Sequence, residues 1–291
     1  MSHEPQTWTD ERSNWPTVTT AEEVAATFQV TSATRSKYDS WRADKSRAQV
    51  VELVSNHTTV ELYRLTLDDV RRICGSTSHA LADASREDAE RVPKARDWYP
   101  RFAFTHLMHH YLEQQKELPT WQKISRFFFR SDEGVDLIGR ETRELVARIV
   151  QDGATEQLAD RALQWRFGNA YYSFLREVFT VVTLRSRGFD VRVHPLADAL
   201  FRVDGWMDDT IISLWVANED FRRDKGLEPA GRKERACDLL ADAPVPFRYL
   251  NIELDKAFKW GQVHLPSDGK LTLAAEELAK FRDKATRPDW R

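Results

Sequence analysis

Cysteine, glycine and proline are scarce in this chain, and each shortage excludes a class of structure. Only 2 cysteines occur among the 291 residues, and Cys74 and Cys237 lie far apart without a metal-ligand spacing. The 11 glycines and 11 prolines are too few for a loop-dominated disulfide scaffold. Two isolated thiols favour a reducing, cytoplasmic setting.

Long apolar runs and a large net charge are also missing. No stretch approaches the 18 uninterrupted apolar residues of a membrane span, and the N-terminal sequence lacks the pattern of a signal peptide. We therefore expect no membrane contact. Charged residues make up 31% of the chain but nearly balance, at a net charge of −3. Any contact with nucleic acid must therefore come from a local basic patch.

The polarity and hydrophobic periodicity of the sequence divide the chain into three parts. A polar leader occupies residues 1–20, and helix-type periodicity dominates residues 21–155. Strand-type alternation enters after a long helix in residues 156–291. The predicted architecture is an all-α region containing a helix-turn-helix, followed by an α/β C-terminal domain.

The start of the helical region has the layout of a helix-turn-helix. Thr20 is a predicted N-cap, and Val24 and Phe28 give the first helix its buried stripe. The letters "QVT" then interrupt the pattern before a second helix capped by Thr31 or Ser32. This arrangement resembles the helix-turn-helix of many prokaryotic DNA-binding proteins, and the resemblance covers about 20 to 25 residues.

Basic residues outnumber acidic ones along the second helix and its continuation to Ala48. The start of this helix is predicted to reach base edges or phosphates, and later cations to contact the DNA backbone. The alternative is a solvated helix hairpin in an all-α domain. The predicted DNA-binding residues of this helix are Ser32, Thr34, Arg35, Lys37 and Arg42.

A histidine-rich helix follows in "RFAFTHLMHHYLEQQKEL". His106, His110 and Glu113 fall on one helical stripe, a spacing that can hold a metal ion. Histidines at this spacing are also common on helix surfaces, so both interpretations stay open.

The C-terminal part reads as α-β-β-β-α-β. The predicted strands are "FDVRVHP", "LFRVDG", "TIISLWVAN" and "FRYLNIELD", with a helix in "GRKERACDLLADAP" before the last strand. A further helix follows in "TLAAEELAKFRDKA".

This order resembles the αβββαβ restriction-endonuclease-like core of the PD-(D/E)xK nuclease superfamily, over about 100 residues. The resemblance implies a metal site with Glu177 on the first helix and Asp204 at the end of the second strand. These carboxylates suit Mg²⁺, which would clamp a scissile phosphate and activate a water. The alternative roles are structural: Asp204 caps a turn, and Glu177 pairs with an arginine such as Arg202.

The third strand departs from the family pattern, because Ser213 and Trp215 stand where an acid and a lysine are expected. Glu219 and Lys233 are candidate catalytic replacements, and Arg232 opens a helix whose N-terminus suits phosphate. Other candidates for the missing acid and lysine are Arg222, Lys225, Glu253, Asp255 and Lys256.

Three functions follow from these features. The first is a protein that binds double-stranded DNA and carries a nuclease-like, catalytically degenerate domain, a pairing that the resemblance associates with phage defence, transposition or another mobile-element process. The second is an active Mg²⁺-dependent endonuclease. The third is a protein-interaction subunit of a larger complex, since ten tryptophans supply many interface anchors.

Overall fold

The structure, a computed structural model, describes residues 18–216, 235–256 and 258–285. It is mixed α/β, with helices predominating over small sheets. Within the described residues, no helix combines the length and apolar character that a membrane crossing demands.

The front of the chain forms the predicted helix pair. The Thr20 hydroxyl accepts a hydrogen bond from the Glu23 N–H, and Thr31 caps the second helix by a reciprocal pair of bonds with Thr34. Both predicted starts are confirmed, but the second helix ends at Ala43 and not at Ala48. The elements here are β1 (Thr19–Thr20), α1 (Ala21–Phe28), α2 (Ser32–Ala43), a 3₁₀ turn (Lys45–Arg47), α3 (Ala48–Ser55), β2 (Thr58–Thr59) and α4 (Glu61–Arg64).

A run of helices occupies the middle of the chain. They are α5 (Leu67–Ser76), α6 (Arg86–Arg91), α7 (Pro93–Arg96), α8 (Phe104–Gln115), α9 (Trp121–Arg130), α10 (Asp132–Gly134), a π-helical stretch (Val135–Gly139), α11 (Arg140–Gln151) and α12 (Glu156–Ser186). The last of these is the predicted long helix. Its final turn is followed by Gly188 with a φ of 90°, a conformation that glycine adopts without strain.

The three-stranded sheet is built from β3 (Gly205–Met207), β4 (Thr210–Val216) and β5 (Arg248–Leu254). β3 and β4 are antiparallel, with Gly205 opposite Ile212, whereas β4 and β5 are parallel, with Ser213 opposite Asn251. An isolated antiparallel bridge joins Arg192 to Trp206 on the outer side of β3. The two longest predicted strands of the C-terminal part are therefore confirmed.

The predictions for "FDVRVHP" and "LFRVDG" were largely wrong. The first makes only the bridge at Arg192, and the second lies partly in a π-helical turn, Ala197–Phe201. Pro195 starts this helical segment, and Leu196 and Leu200 are four residues apart, which is helical spacing. The segment ends at Arg202 in the left-handed conformation, with a φ of 59°.

The chain ends in elements that the sequence indicated only in part. α13 (Ala236–Leu239) is the described portion of the predicted helix, and α14 (Asp268–Ala285) packs against β5 as the predicted C-terminal helix. Between β5 and α14, a hairpin of β6 (Phe258–Trp260) and β7 (Val263–Leu265) was not predicted.

The contacts group the chain into two compact units, each built from more than one segment. Of the described residues, unit 1 contains 18–66, 179–216, 235–256, 258 and 265–285, and unit 2 contains 67–178 and 259–264. The front helices therefore belong with the sheet. In unit 1 the fully buried Phe28 ring contacts the rings of Phe201, Trp206 and Phe247.

Candidate nucleic-acid interface and sheet face

α2 has one anchored side and one solvent side. Thr34 and Trp41 are buried and hold the helix in unit 1, and the Thr31 hydroxyl adds a bond to the Leu239 carbonyl at 3.4 Å. Ser32, Arg35 and Arg42 lie on the exposed side. The helix therefore presents a polar surface that carries Arg35, Asp39 and Arg42, and its capping box fixes the start of its backbone.

The predicted DNA-binding residues of α2 do not share one environment. Arg35 and Arg42 are exposed, and Lys37 is half-buried. Thr34 has no exposed surface, and its hydroxyl bonds Thr31, so it has a capping role and offers no surface to DNA in this structure. The prediction from sequence missed this because the same residue types cap helices and contact phosphates.

The two predicted carboxylates of the metal site fall in different units. In unit 2, Glu177 pairs with the buried His109 at 2.9 Å between Oε1 and Nε2, so its partner is a histidine and not Arg202. In unit 1, Asp204 precedes β3, and its Oδ2 accepts the Leu214 N–H at 2.7 Å. Glu219, Lys233 and Arg232 lie outside the described residues.

The strand register places Asp204 beside the two unusual residues of β4. Gly205 is opposite Ile212, so continuing the antiparallel register by one residue sets Asp204 opposite Ser213. Ser213 is in turn opposite Asn251 of β5. Because residues directly opposite each other point to the same face of a sheet, Asp204, Ser213 and Asn251 form one row.

This face of the sheet forms the floor of a cavity of about 460 Å³ in unit 1. Trp215 and Tyr249 are 40% and 37% exposed, which is unusual for large aromatic side chains on a sheet. Partial burial raises the pKa of the Tyr249 hydroxyl, so this ring is neutral at pH 7. The cavity is lined by Asp198, Arg202, Asp204, Ser213, Leu214, Trp215, Arg235, Ala236, Cys237, Tyr249 and Asn251.

Two arginines bring positive charge to the cavity. Arg235 forms an ion pair with Asp238 at 3.1 Å, and this hydrogen bonding raises the pKa of its guanidinium. Arg202 is half-buried, and its Nε is buried without a hydrogen-bond partner among the described residues. A buried donor left without a partner is costly, so Arg202 is suited to receive an anionic or carbonyl oxygen.

The described residues do not assemble the oxygen ligands that Mg²⁺ requires. In residues 18–216, 235–256 and 258–285 no group of three or more histidine, cysteine, aspartate or glutamate side chains is placed to hold a metal ion. Of the histidine stripe, His110 bonds Glu133 at 2.7 Å and His106 is buried.

A larger cavity of about 760 Å³ lies within unit 2, and none of the predicted site residues lines it. Its walls are mainly apolar, from Phe129, Leu163 and Phe167 among others, with Glu156 and Asp160 at the start of α12. Burial and the neighbouring Glu156 raise the pKa of the Asp160 carboxyl. Sequence reasoning missed this cavity because its lining residues look like ordinary helix packing.

Comparisons with protein-family models, with curated proteins and with solved structures find no match to this chain.

Proposed function

We propose that this chain is a double-stranded DNA-binding protein in which α1 and α2 act as a helix-turn-helix and the nuclease-like sheet does not hydrolyse DNA. The observation that carries the proposal is the division of α2. Thr34 and Trp41 fix the helix from one side, and Arg35 and Arg42 project from the other. A rigid helix with an exposed basic side is what major-groove docking requires.

The three-stranded sheet supports the second claim, that the nuclease-like domain does not hydrolyse DNA. The chain order of the Arg192 bridge, β3, β4, α13 and β5 supports the resemblance to the αβββαβ core. On the same face as Asp204, β4 carries Ser213 and Trp215 at the two positions where the sequence resemblance leads us to expect an acid and a lysine. A hydroxyl and an indole supply neither a metal ligand of sufficient charge nor a cation for the developing phosphate charge.

Metal-dependent hydrolysis does not fit the described residues. The Asp204 carboxylate accepts a backbone N–H from β4, and Glu177 is engaged by His109 in the other unit. We therefore derive no catalytic step for this chain. We propose that the protein acts in phage defence, transposition or a related mobile-element process, the context that the sequence resemblance implies.

The test of DNA binding is the salt dependence of affinity for a fluorescent duplex, measured by anisotropy. The wild-type chain is expected to lose affinity steeply as salt rises, since each phosphate contact adds about 0.9 to the slope of log K against log salt. The variant Arg35→Ala/Arg42→Ala should lower this slope by about 2 if both arginines contact phosphates. The variant Arg86→Ala/Arg140→Ala is the matched control, because both arginines form i,i+4 ion pairs on exposed helix surfaces of unit 2.

Two outcomes would replace this proposal. No anisotropy change at low salt would leave the protein-interaction subunit as the better function. Nicking of supercoiled plasmid with Mg²⁺ or Mn²⁺, lost in Asp204→Ala, would establish the endonuclease instead.

A further inference from the structure

The sheet face around Trp215 has the composition of a nucleotide site. Its floor is the polar pair Ser213 and Asn251, and Trp215 and Tyr249 stand at its two ends on the same face. In the parallel register Trp215 lies opposite Glu253, four residues beyond Tyr249. With a rise of about 3.3 Å per residue, the two rings are separated by roughly 13 Å along the strands.

A cavity of about 460 Å³ lies over this floor. Ligand pockets are typically about 300 to 1,000 Å³, so a single nucleotide can be accommodated. Aromatic rings that are two-fifths exposed offer flat faces on which bases stack.

The polar groups around the cavity match the remaining parts of a nucleotide. The Asn251 side chain is exposed and both donates and accepts, so it can pair with the edge of a base. The Arg202 guanidinium has a buried Nε without a partner among the described residues and is suited to a phosphate oxygen.

From this arrangement we infer that the sheet face binds an unpaired nucleotide, with the base stacked on Trp215, its edge at Asn251 and its phosphate at Arg202. The inference rests on the proposed function, because DNA bound by α2 is one source of the nucleotide. In this proposal the nuclease-like face recognises an unstacked base and does not hydrolyse DNA. A free nucleotide has the same chemistry, and the two sources are separated by experiment.

The test is calorimetric titration of the full chain with each deoxynucleoside monophosphate, with a short single-stranded oligonucleotide and with inorganic phosphate. Binding of the nucleotides and the oligonucleotide is expected, with little binding of phosphate alone. A higher affinity for the oligonucleotide than for the mononucleotides indicates that the ligand is a single strand. Equal affinities indicate a free nucleotide.

Four variants assign the binding to this face. Trp215→Ala should weaken binding by about tenfold, the effect of removing one stacked ring, and Trp215→Phe should retain most of it. Asn251→Ala should reduce the preference among the four bases. Trp260→Ala is the matched control, because Trp260 is 41% exposed but lies in unit 2 beside Arg71. Far-UV circular dichroism of each variant checks that the chain is folded.

The inference is overturned if no nucleotide binds, if phosphate binds as well as a nucleotide, or if Trp215→Ala and Trp260→Ala have the same effect. Duplex anisotropy on the same samples keeps the two proposals apart. Loss of duplex binding in Arg35→Ala/Arg42→Ala with nucleotide binding intact supports both. A wild-type chain that binds duplex but no nucleotide removes only the inference, and one that binds nucleotide but no duplex removes only the helix-turn-helix proposal.

Discussion

The ring of Phe28 in α1 meets the ring of Trp206 in β3 edge to face, with centroids 5.3 Å apart. Both side chains are buried, and the contact ties the helix pair to the sheet within unit 1. We therefore expect the helix pair and the sheet to unfold together.

The first prediction is that Phe28→Ala destabilises the helix pair and the sheet together. Loss of a fully buried phenylalanine leaves a cavity and costs about 3 to 5 kcal/mol. Urea unfolding should show a lower midpoint with coincident transitions by far-UV circular dichroism and by tryptophan fluorescence. Earlier loss of helical signal, with the tryptophan signal intact, would show that the helix pair is independent of the sheet.

The second prediction concerns the bond between Asp204 and the Leu214 N–H. Asp204→Ala removes a charged acceptor from a backbone donor on β4 and should lower the free energy of unfolding by about 1.5 kcal/mol. Asp204→Asn keeps an acceptor oxygen and should retain most of the stability. Equal losses in the two variants would mean that the hydrogen bond is not the stabilising feature.

The parts of the fold that follow from sequence are those with strong local signals. Thr20 and Thr31 were identified as candidate caps because a hydroxyl before an apolar periodic run satisfies free N–H groups, and both caps are present. The apolar segment "TIISLWVAN" predicts β4, and "FRYLNIELD" is likewise predicted as a strand, β5. Local patterns of this kind depend on few long-range contacts.

The missed features depend on contacts that sequence spacing does not contain. The strand predicted at "LFRVDG" failed because Leu196 and Leu200 bury themselves at helical spacing before the chain turns at Arg202. The partner of Glu177 was missed because His109 is 68 residues away along the chain. Thr34 shows the same limit, since capping and DNA contact use the same hydroxyl.

The third prediction is that Asp190→Ala destabilises unit 1 by about 3 kcal/mol. Asp190 pairs with Arg185 at 2.6 Å and with Arg192 at 3.0 Å, and the Arg185 side chain is only 10% exposed. Removing the acid leaves a buried guanidinium without its counter-ion, which costs more than the pair itself contributes. Thermal and urea unfolding measure the loss, and Glu277→Ala, whose partner is Lys280, is a control because both side chains of that pair are largely exposed. A change of less than 1 kcal/mol in Asp190→Ala would contradict the argument.

The fourth prediction is that only one thiol of the native chain reacts with a thiol reagent at pH 8. Cys74 is fully buried, and burial raises the pKa of its thiol to about 12, so the reactive thiolate is nearly absent. Cys237 is half-buried and lines the sheet-face cavity, so it should react. Native Cys237→Ser protein should therefore show no fast labelling and should show one thiol after denaturation. Fast labelling of this variant in native buffer would contradict the burial of Cys74.

The last prediction is that Gly261→Ala disrupts the hairpin of β6 and β7. Gly261 has a φ of 60°, and an added Cβ would lie 2.2 Å from the Cys74 carbonyl oxygen, where backbone must move. The left-handed conformation and this clash together should cost at least 1 to 3 kcal/mol, read as a lower midpoint of urea unfolding. Gly269→Ala is the matched control: its Cβ meets nothing within 4 Å, and alanine favours the helix in which it lies. We expect that variant to be as stable as the wild type or slightly more so, and similar losses at the two positions would show that the close approach to Cys74 does not govern the turn.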